Sequence, residues 1–301
     1  MCKQTLVDED LICAAVNRSQ LDQTLSIGNS SEAMCNVTVI AHACSSATHL
    51  TPNNLVRLVL CTLESNRTYP VEAWKLLFQK ALTSVDHALE SFATMAGNNS
   101  FPSSSNALDA LGEVRIANFT QAQLQSGDFV KSWFRTLRPL LASPSSNFLF
   151  CLSAKNFSCQ SYQTVIQVFS NQTQSTERKI QQRVYTHFVK PFLSRNDSSD
   201  PGCVSSVNGS TEWLQANIGG FSKFATLHDL RGLNPNFSSA ESLSVLTPAQ
   251  VAQLTLSSGA SNDTDQIDRV FERLEEGNAV DNVAEFLTQL RAEEKVGYSW
   301  H

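Results

Sequence analysis

The chain has 301 residues, 42% of them hydrophobic and 17% charged, which is enough apolar material for a sizeable core and lies outside the range of disordered chains. A net charge of −6 argues against a nucleic-acid binder, because phosphate contacts need a concentrated basic surface. Basic residues gather only locally, at Lys131, Arg135 and Arg138 and again at Arg178, Lys179 and Arg183, where helical spacing reads as solvated faces.

In chain order, the opening stretch "MCKQTLVDEDLICAAV" holds one apolar run, Leu11 to Val16. It is too short for a signal-peptide core and follows acids rather than bases. The first helix start is "LTPNNLVRL" at 50–58, with Thr51 as N-cap, Pro52 at the first helical position and Leu50 and Leu55 as a hydrophobic staple. Val71, Trp74, Leu77, Phe78, Ala81 and Leu82 then recur at three- and four-residue spacings.

"GNNSFPSSSN" at 97–106 reads as a loop and as a boundary between a Cys-rich helical part, 1–96, and a helical repeat region, 107–301. Variants of the helix start follow in "FTQAQL" at 119–124, where Thr120 pairs with Gln123, and in "FSCQSY" at 157–162, which lacks the Glu or Gln partner. "TVIQVF" at 164–169 alternates but fits a buried helix as well. "SRNDSSDPGCVSSVNGS" at 194–210 is a second loop, pinned at Cys203. "FSSAES" at 237–242 pairs Ser238 with Glu241, and "LTPAQVAQL" at 246–254 is the fullest start, with Thr247, Pro248, Gln250 and the Leu246/Val251 staple. Ile267, Val270, Phe271 and Leu274, then Val280, Val283, Phe286, Leu287 and Leu290, complete an all-α pattern. No segment is long enough to span a bilayer, and the final "RAEEKVGYSWH" is not the hydrophobic tail of a lipid-anchor signal, so the chain reads as a segment of something longer.

The acceptor triplet N-x-[ST] occurs at Asn17, Asn29, Asn36, Asn66, Asn98, Asn118, Asn156, Asn171, Asn196, Asn208, Asn236 and Asn262. Chance would supply about four, so the excess points to N-linked glycans on an extracellular protein. Eight cysteines without a C-x-x-C pair fit an oxidising compartment. The short loops make Cys151 with Cys159, and then Cys35 with Cys44, the first disulfide candidates.

The sequons at Asn118, Asn156, Asn196 and Asn236 lie 38, 40 and 40 residues apart, a period shared with HEAT and armadillo arrays. "NFLFCLSAKNFSCQSYQTVIQVF", "SRNDSSDPGC" and "WLQANIGGFSKFATLHDLRGLNPNFSSAESLSVLTPAQVAQL" resemble the mesothelin, otoancorin and stereocilin family, its fish mesothelin-like members above all, over roughly residues 115–256. The resemblance implies a right-handed superhelical array of armadillo-like repeats in a cell-surface or matrix glycoprotein that acts in adhesion, often from a lipid anchor. It carries over no partner-binding residue.

Chemistry is harder to find. Cys35, His42, Cys44 and His49 do not follow a recognised zinc spacing. "NDTDQIDRVFE" at 262–272 lacks the Gly and the final Glu of a calcium loop, and Asp263 or Asp265 reads instead as a helix-start carboxylate. No nucleophile elbow, phosphate loop or H-E-x-x-H is present. The expectation is a non-enzymatic adhesion module without cofactor or metal, whose partner is a cell-surface or matrix glycoprotein or a glycan. Two other readings stay open: a secreted all-α hydrolase or ligand carrier with a pocket between helices, and a passive spacer in a long ectodomain.

Overall fold

The computed structural model describes residues 2–27, 35–46, 50–172, 176–197, 199–257 and 264–297. Every regular element among them is helical, and no described helix is long and apolar enough to cross a membrane. The chain divides into two compact units, Met1–Pro191 and Phe192–His301.

The first unit holds α1 (Glu9–Cys13), α2 (Arg18–Ile27), α3 (Val39–Cys44), α4 (Pro52–Glu64), α5 (Val71–Lys80), α6 (Leu82–Ala96), α7 (Ser105–Val114), α8 (Gln121–Gln125), α9 (Gly127–Leu137), α10 (Ser146–Ser153), α11 (Cys159–Ser170) and α12 (Arg178–Val184). Their starts follow the capping chemistry of the sequence. Thr51, Thr120 and Ser158 each accept from a backbone N–H three residues on, and Gln123 closes a reciprocal box with Thr120. Leu50, Leu55, Phe119, Leu124, Phe157 and Tyr162 are buried, which seats the staples.

Packing runs in two rows. In one, α3 packs on α5, α5 on α7, α7 on α10, and α10 on a π turn, Tyr185–Val189. In the other, α4 packs on α6, α6 on α9, and α9 on α11. Each amphipathic helix thus covers the apolar stripe of the next one in its row. Stacked Trp74 and Phe78, 5.6 Å apart, fill the first row, while Trp133, Phe134 and Phe119 pack edge-on in the second. Hydrogen bonds that leave one helix pair for the next keep a steady offset. Asn106–Tyr69, Ser104–Leu140, Gln121–Asn156 and Gln172–Arg138 join residues 37, 36, 35 and 34 apart. The π turn precedes Pro191, which has no N–H to donate and crowds the carbonyl of His187, so the widened turn relieves the clash.

Residues 97–106 lie within the first compact unit. Phe101 is 7% exposed, its N–H bonds Pro139 O at 3.1 Å, and Ser104 donates to Leu140 O at 2.8 Å. Only residues 97–101 are turn or irregular; a 3-10 turn, Pro102–Ser104, leads into α7, and Phe101 supplies a core anchor.

An extended strap, residues 2–7, lies over the first row and is held three ways. Cys2 is bridged to Cys151. Lys3 and the Asn147 side chain exchange bonds at 2.9 and 3.0 Å. Thr5 donates from N and Oγ1 to Glu113 at 2.8 Å each, and Lys75 Nζ reaches both Glu113 Oε2, at 2.7 Å, and Thr5 O, at 2.6 Å. The Glu113 side chain is only 3% exposed, and the Lys75 ammonium with two strap donors replaces the water that its carboxylate loses on burial.

The disulfides differ from the expected pairs. Cys151 joins Cys2 rather than Cys159, Cys35 joins Cys61, and Cys44 joins Cys13. Cys159 is also disulfide-bonded, as is Cys203 in the second loop, and no described cysteine is free. Cys44 ends α3 and meets Cys13 at the end of α1, while Cys35, ahead of α3, meets Cys61 in the last turn of α4. Cys151 and Cys159 lie on helices of different rows, and Cys151 meets the strap.

Helix α13 (Lys190–Leu193) spans the division, and the second unit holds α14 (Ser210–Asn217), α15 (Leu227–Leu233), α16 (Pro248–Ser257), α17 (Thr264–Glu275) and α18 (Ala279–Gly297), with 3-10 turns at Gly219–Phe224 and Leu243–Val245. "LTPAQV" behaves as read: Thr247 N–H meets Gln250 Oε1 at 2.9 Å and Gln250 N–H meets Thr247 Oγ1 at 3.3 Å. "FSSAES" does not start a helix. Ser238 accepts from Glu241 N–H, but the Glu241 carboxylate serves Ser210 N–H at 3.0 Å, at the start of α14, and the segment stays a turn. A buried helix terminus in need of an acceptor outcompetes the local box. Gly202, at φ +68°, lies so close to the Leu233 carbonyl that a Cβ would collide with it, while its own carbonyl takes the Trp213 indole N–H at 2.9 Å.

Candidate functional site

Ten of the twelve sequon asparagines lie among the described residues, namely Asn17, Asn36, Asn66, Asn98, Asn118, Asn156, Asn171, Asn196, Asn208 and Asn236, and all ten are exposed. Asn29 and Asn262 lie outside them. Asparagines without the triplet are mixed: Asn217 and Asn234 are buried, Asn54, Asn106, Asn147 and Asn282 are half-buried, and Asn53, Asn99 and Asn278 are exposed.

The exposed ten sit at helix termini or in turns. Asn17 Oδ1 accepts from Gln20 N–H at 3.2 Å at the start of α2, which leaves its Nδ2 to carry a sugar. Asn66, at φ 51°, and Asn98, just after the Gly97 cap, follow helix ends, and Asn171 ends α11. In the triplets at 36, 118 and 156, the third residue is itself the N-cap of the next helix: Thr38, Thr120 and Ser158. In these three triplets the same hydroxyl that makes a sequon also starts a helix.

Two of the turns touch. Gln121 Nε2 donates to Asn156 O at 3.0 Å, and Lys155 Nζ lies 3.4 Å from Ala117 O, its ammonium pKa pushed down by burial. Asn118 and Asn156 therefore present neighbouring acceptor amides. In the second unit the turns of Asn208 and Asn236 meet likewise, through Ser238 N–H donating to Ser210 Oγ at 2.8 Å.

The zinc candidate does not assemble. Cys35 and Cys44 are spent in separate bridges, and His49 lies outside the described residues. Of the calcium candidate, Asn262 and Asp263 also lie outside them, and the described part is helix α17.

A groove of about 680 Å³ between α6 and α9 could not be read from the chain. Glu90, Thr94 and Gly97 line it from α6 and its cap, and Asp128, Lys131, Arg135 and Arg138 from α9 and the turn beyond. The basic spacing 131, 135, 138 was visible in the sequence; that α6 would wall it with a carboxylate and a hydroxyl was not, because nothing local couples residues 90 and 131. No protein-family model, curated protein sequence or solved structure matches this chain.

Proposed function

We propose that the chain is a non-enzymatic segment of an extracellular glycoprotein that acts in cell adhesion or attachment to matrix, presenting a helical surface to another glycoprotein or a glycan. The observation that carries the reading is the exposure of all ten described sequon asparagines, where only three of the nine described asparagines outside the triplet are exposed. The disulfides support it, since such bridges persist in oxidising compartments. The two-row packing and the offset of 34 to 37 residues in the bonds above favour the finer architecture, a right-handed superhelical array of armadillo- or HEAT-like repeats. The adhesive role itself follows the family resemblance.

The test is protein made in a secreting cell. Intact mass before and after enzymatic release of N-glycans should show several occupied sites, and thiol alkylation without reductant should label none of the eight cysteines. Beads coated with this protein should bind cells that uncoated beads do not. Unmodified asparagines together with freely alkylated thiols would remove the extracellular premise. Full glycosylation without any cell binding would leave the spacer reading.

A further inference from the structure

We propose that the groove between α6 and α9 binds the acidic groups, sulfate or carboxylate, of a carbohydrate chain. This names a partner class for the surface proposed above and rests on that extracellular reading.

The charges come first. Lys131, Arg135 and Arg138 are exposed and form no ion pair with a described residue, although Glu90 and Asp128 line the same groove. Spacings of four and three residues put the cations on one helical face, over about 10 Å along the axis. That face is rigid, because Val130, Trp133, Phe134 and Leu137 on the opposite side of α9 are buried. Three cations held apart along a fixed ridge suit anions repeated along a chain better than a single compact one.

The remaining lining selects among polyanions. Glu90 and Asp128 are acceptors that repel any anionic group placed against them, so they suit a ligand that sets hydroxyl donors between its anionic groups, as a sugar chain does. The Thr94 hydroxyl donates to Glu90 O at 3.0 Å, so its oxygen is presented to the groove as an acceptor. Acceptors beside cations match a ligand that carries hydroxyls and acidic groups together. No aromatic side chain lines the groove among the described residues, so recognition there is ionic and salt-sensitive.

Sequons flank its cationic end. Asn98 follows the lining residue Gly97, and the side chain of Gln172, next to Asn171, donates to Arg138 O at 2.9 Å. Acidic sugar therefore has two sources here: an external chain, or the protein's own glycans on Asn98 and Asn171.

The experiment uses the full chain secreted from cultured cells, with binding to an immobilised heparin-derived oligosaccharide measured across a salt series. Lys131→Glu with Arg135→Glu should weaken binding about tenfold for each charge reversed. Arg57→Glu with Lys179→Glu, an equal charge change at exposed positions outside the groove, should leave it unchanged, with circular dichroism confirming the fold of both variants. The proposal is overturned if wild type does not bind, if the control pair weakens binding as much as the groove pair, or if polyglutamate binds as tightly, which would assign the groove to acidic protein. Asn98→Gln with Asn171→Gln separates the sources. Tighter binding shows that the protein's own glycans occupy the groove, and unchanged binding leaves it to the external chain. Glycan occupancy, read by mass on the same preparations, tests the extracellular reading independently of any groove variant.

Discussion

The two units solve the same problem, burying the faces of short helices, by different means. In Met1–Pro191 the helices run mostly 8 to 15 residues and stack in rows, each covering the next, with bridges at Cys2–Cys151, Cys13–Cys44 and Cys35–Cys61. In Phe192–His301 helix α16 packs on α18, and side chains tie the turns between the helices. Gln250 Nε2 serves Ser222 O and Ala225 O at 2.7 and 2.8 Å, Arg273 reaches Leu246 O at 2.8 Å, and Asn282 serves Leu274 O and Glu276 O. Its C-terminal helix α18 leaves Val280 79% exposed, with Val283 and Leu287 also exposed. Side-by-side apolar stacking spreads stability over many residues, whereas turn-bridging bonds concentrate it in a few.

The sharpest way to break that contrast is to remove Glu113. Glu113→Gln leaves Lys75 buried without its counter-charge and should cost about 3–5 kcal/mol in chemical denaturation. Lys75→Met with Glu113→Leu should recover part of the loss, because it removes the unpaired charge but still leaves the Thr5 N–H, hydroxyl and carbonyl without these partners. Core truncations should rank close behind. Trp74→Ala in the first unit and Trp213→Ala in the second should each cost about 3–5 kcal/mol, measured as a fall in Tm. Because the Trp213 indole also holds Gly202 O, Trp213→Phe should remain destabilising by about 1–3 kcal/mol from the orphaned carbonyl, seen as faster amide exchange around Gly202.

A bridge and a glutamine give intermediate effects. Cys2→Ser with Cys151→Ser opens a link between residues 149 apart and should cost about 2–4 kcal/mol, with the Thr5 amide losing exchange protection first. Gln250→Ala orphans two carbonyls and a helix start and should cost about 1–3 kcal/mol in the second unit. By contrast, Val280→Ser should change stability by less than about 0.5 kcal/mol.

The smallest effect is a pH dependence. Burial pushes the Asp109 carboxyl above its ordinary value, against the Ser145 hydroxyl that lowers it. An acid whose folded pKa is raised binds its proton more tightly in the native state, so stability is highest below the ordinary aspartate range and declines as pH rises through the raised value. Asp109→Asn should remove that decline, and the stability difference between variant and wild type should grow in the variant's favour across that window.

What the amino-acid order determined by itself was local. Helix starts at Thr51, Thr120, Ser158 and Thr247 are written in four to six residues, because a cap and its acceptor are neighbours in the chain. Exposure of the sequons was legible for the same reason, since the triplet falls where helices begin or end. Everything that joins distant residues was decided by packing: which cysteines meet, the capture of Thr5 by Glu113 and Lys75, the diversion of Glu241 to α14, the inclusion of Phe101 in the core, and the groove that sets Glu90 opposite Arg135. A pair separated by tens of residues leaves no local pattern, and only the stacking of helix on helix selects it.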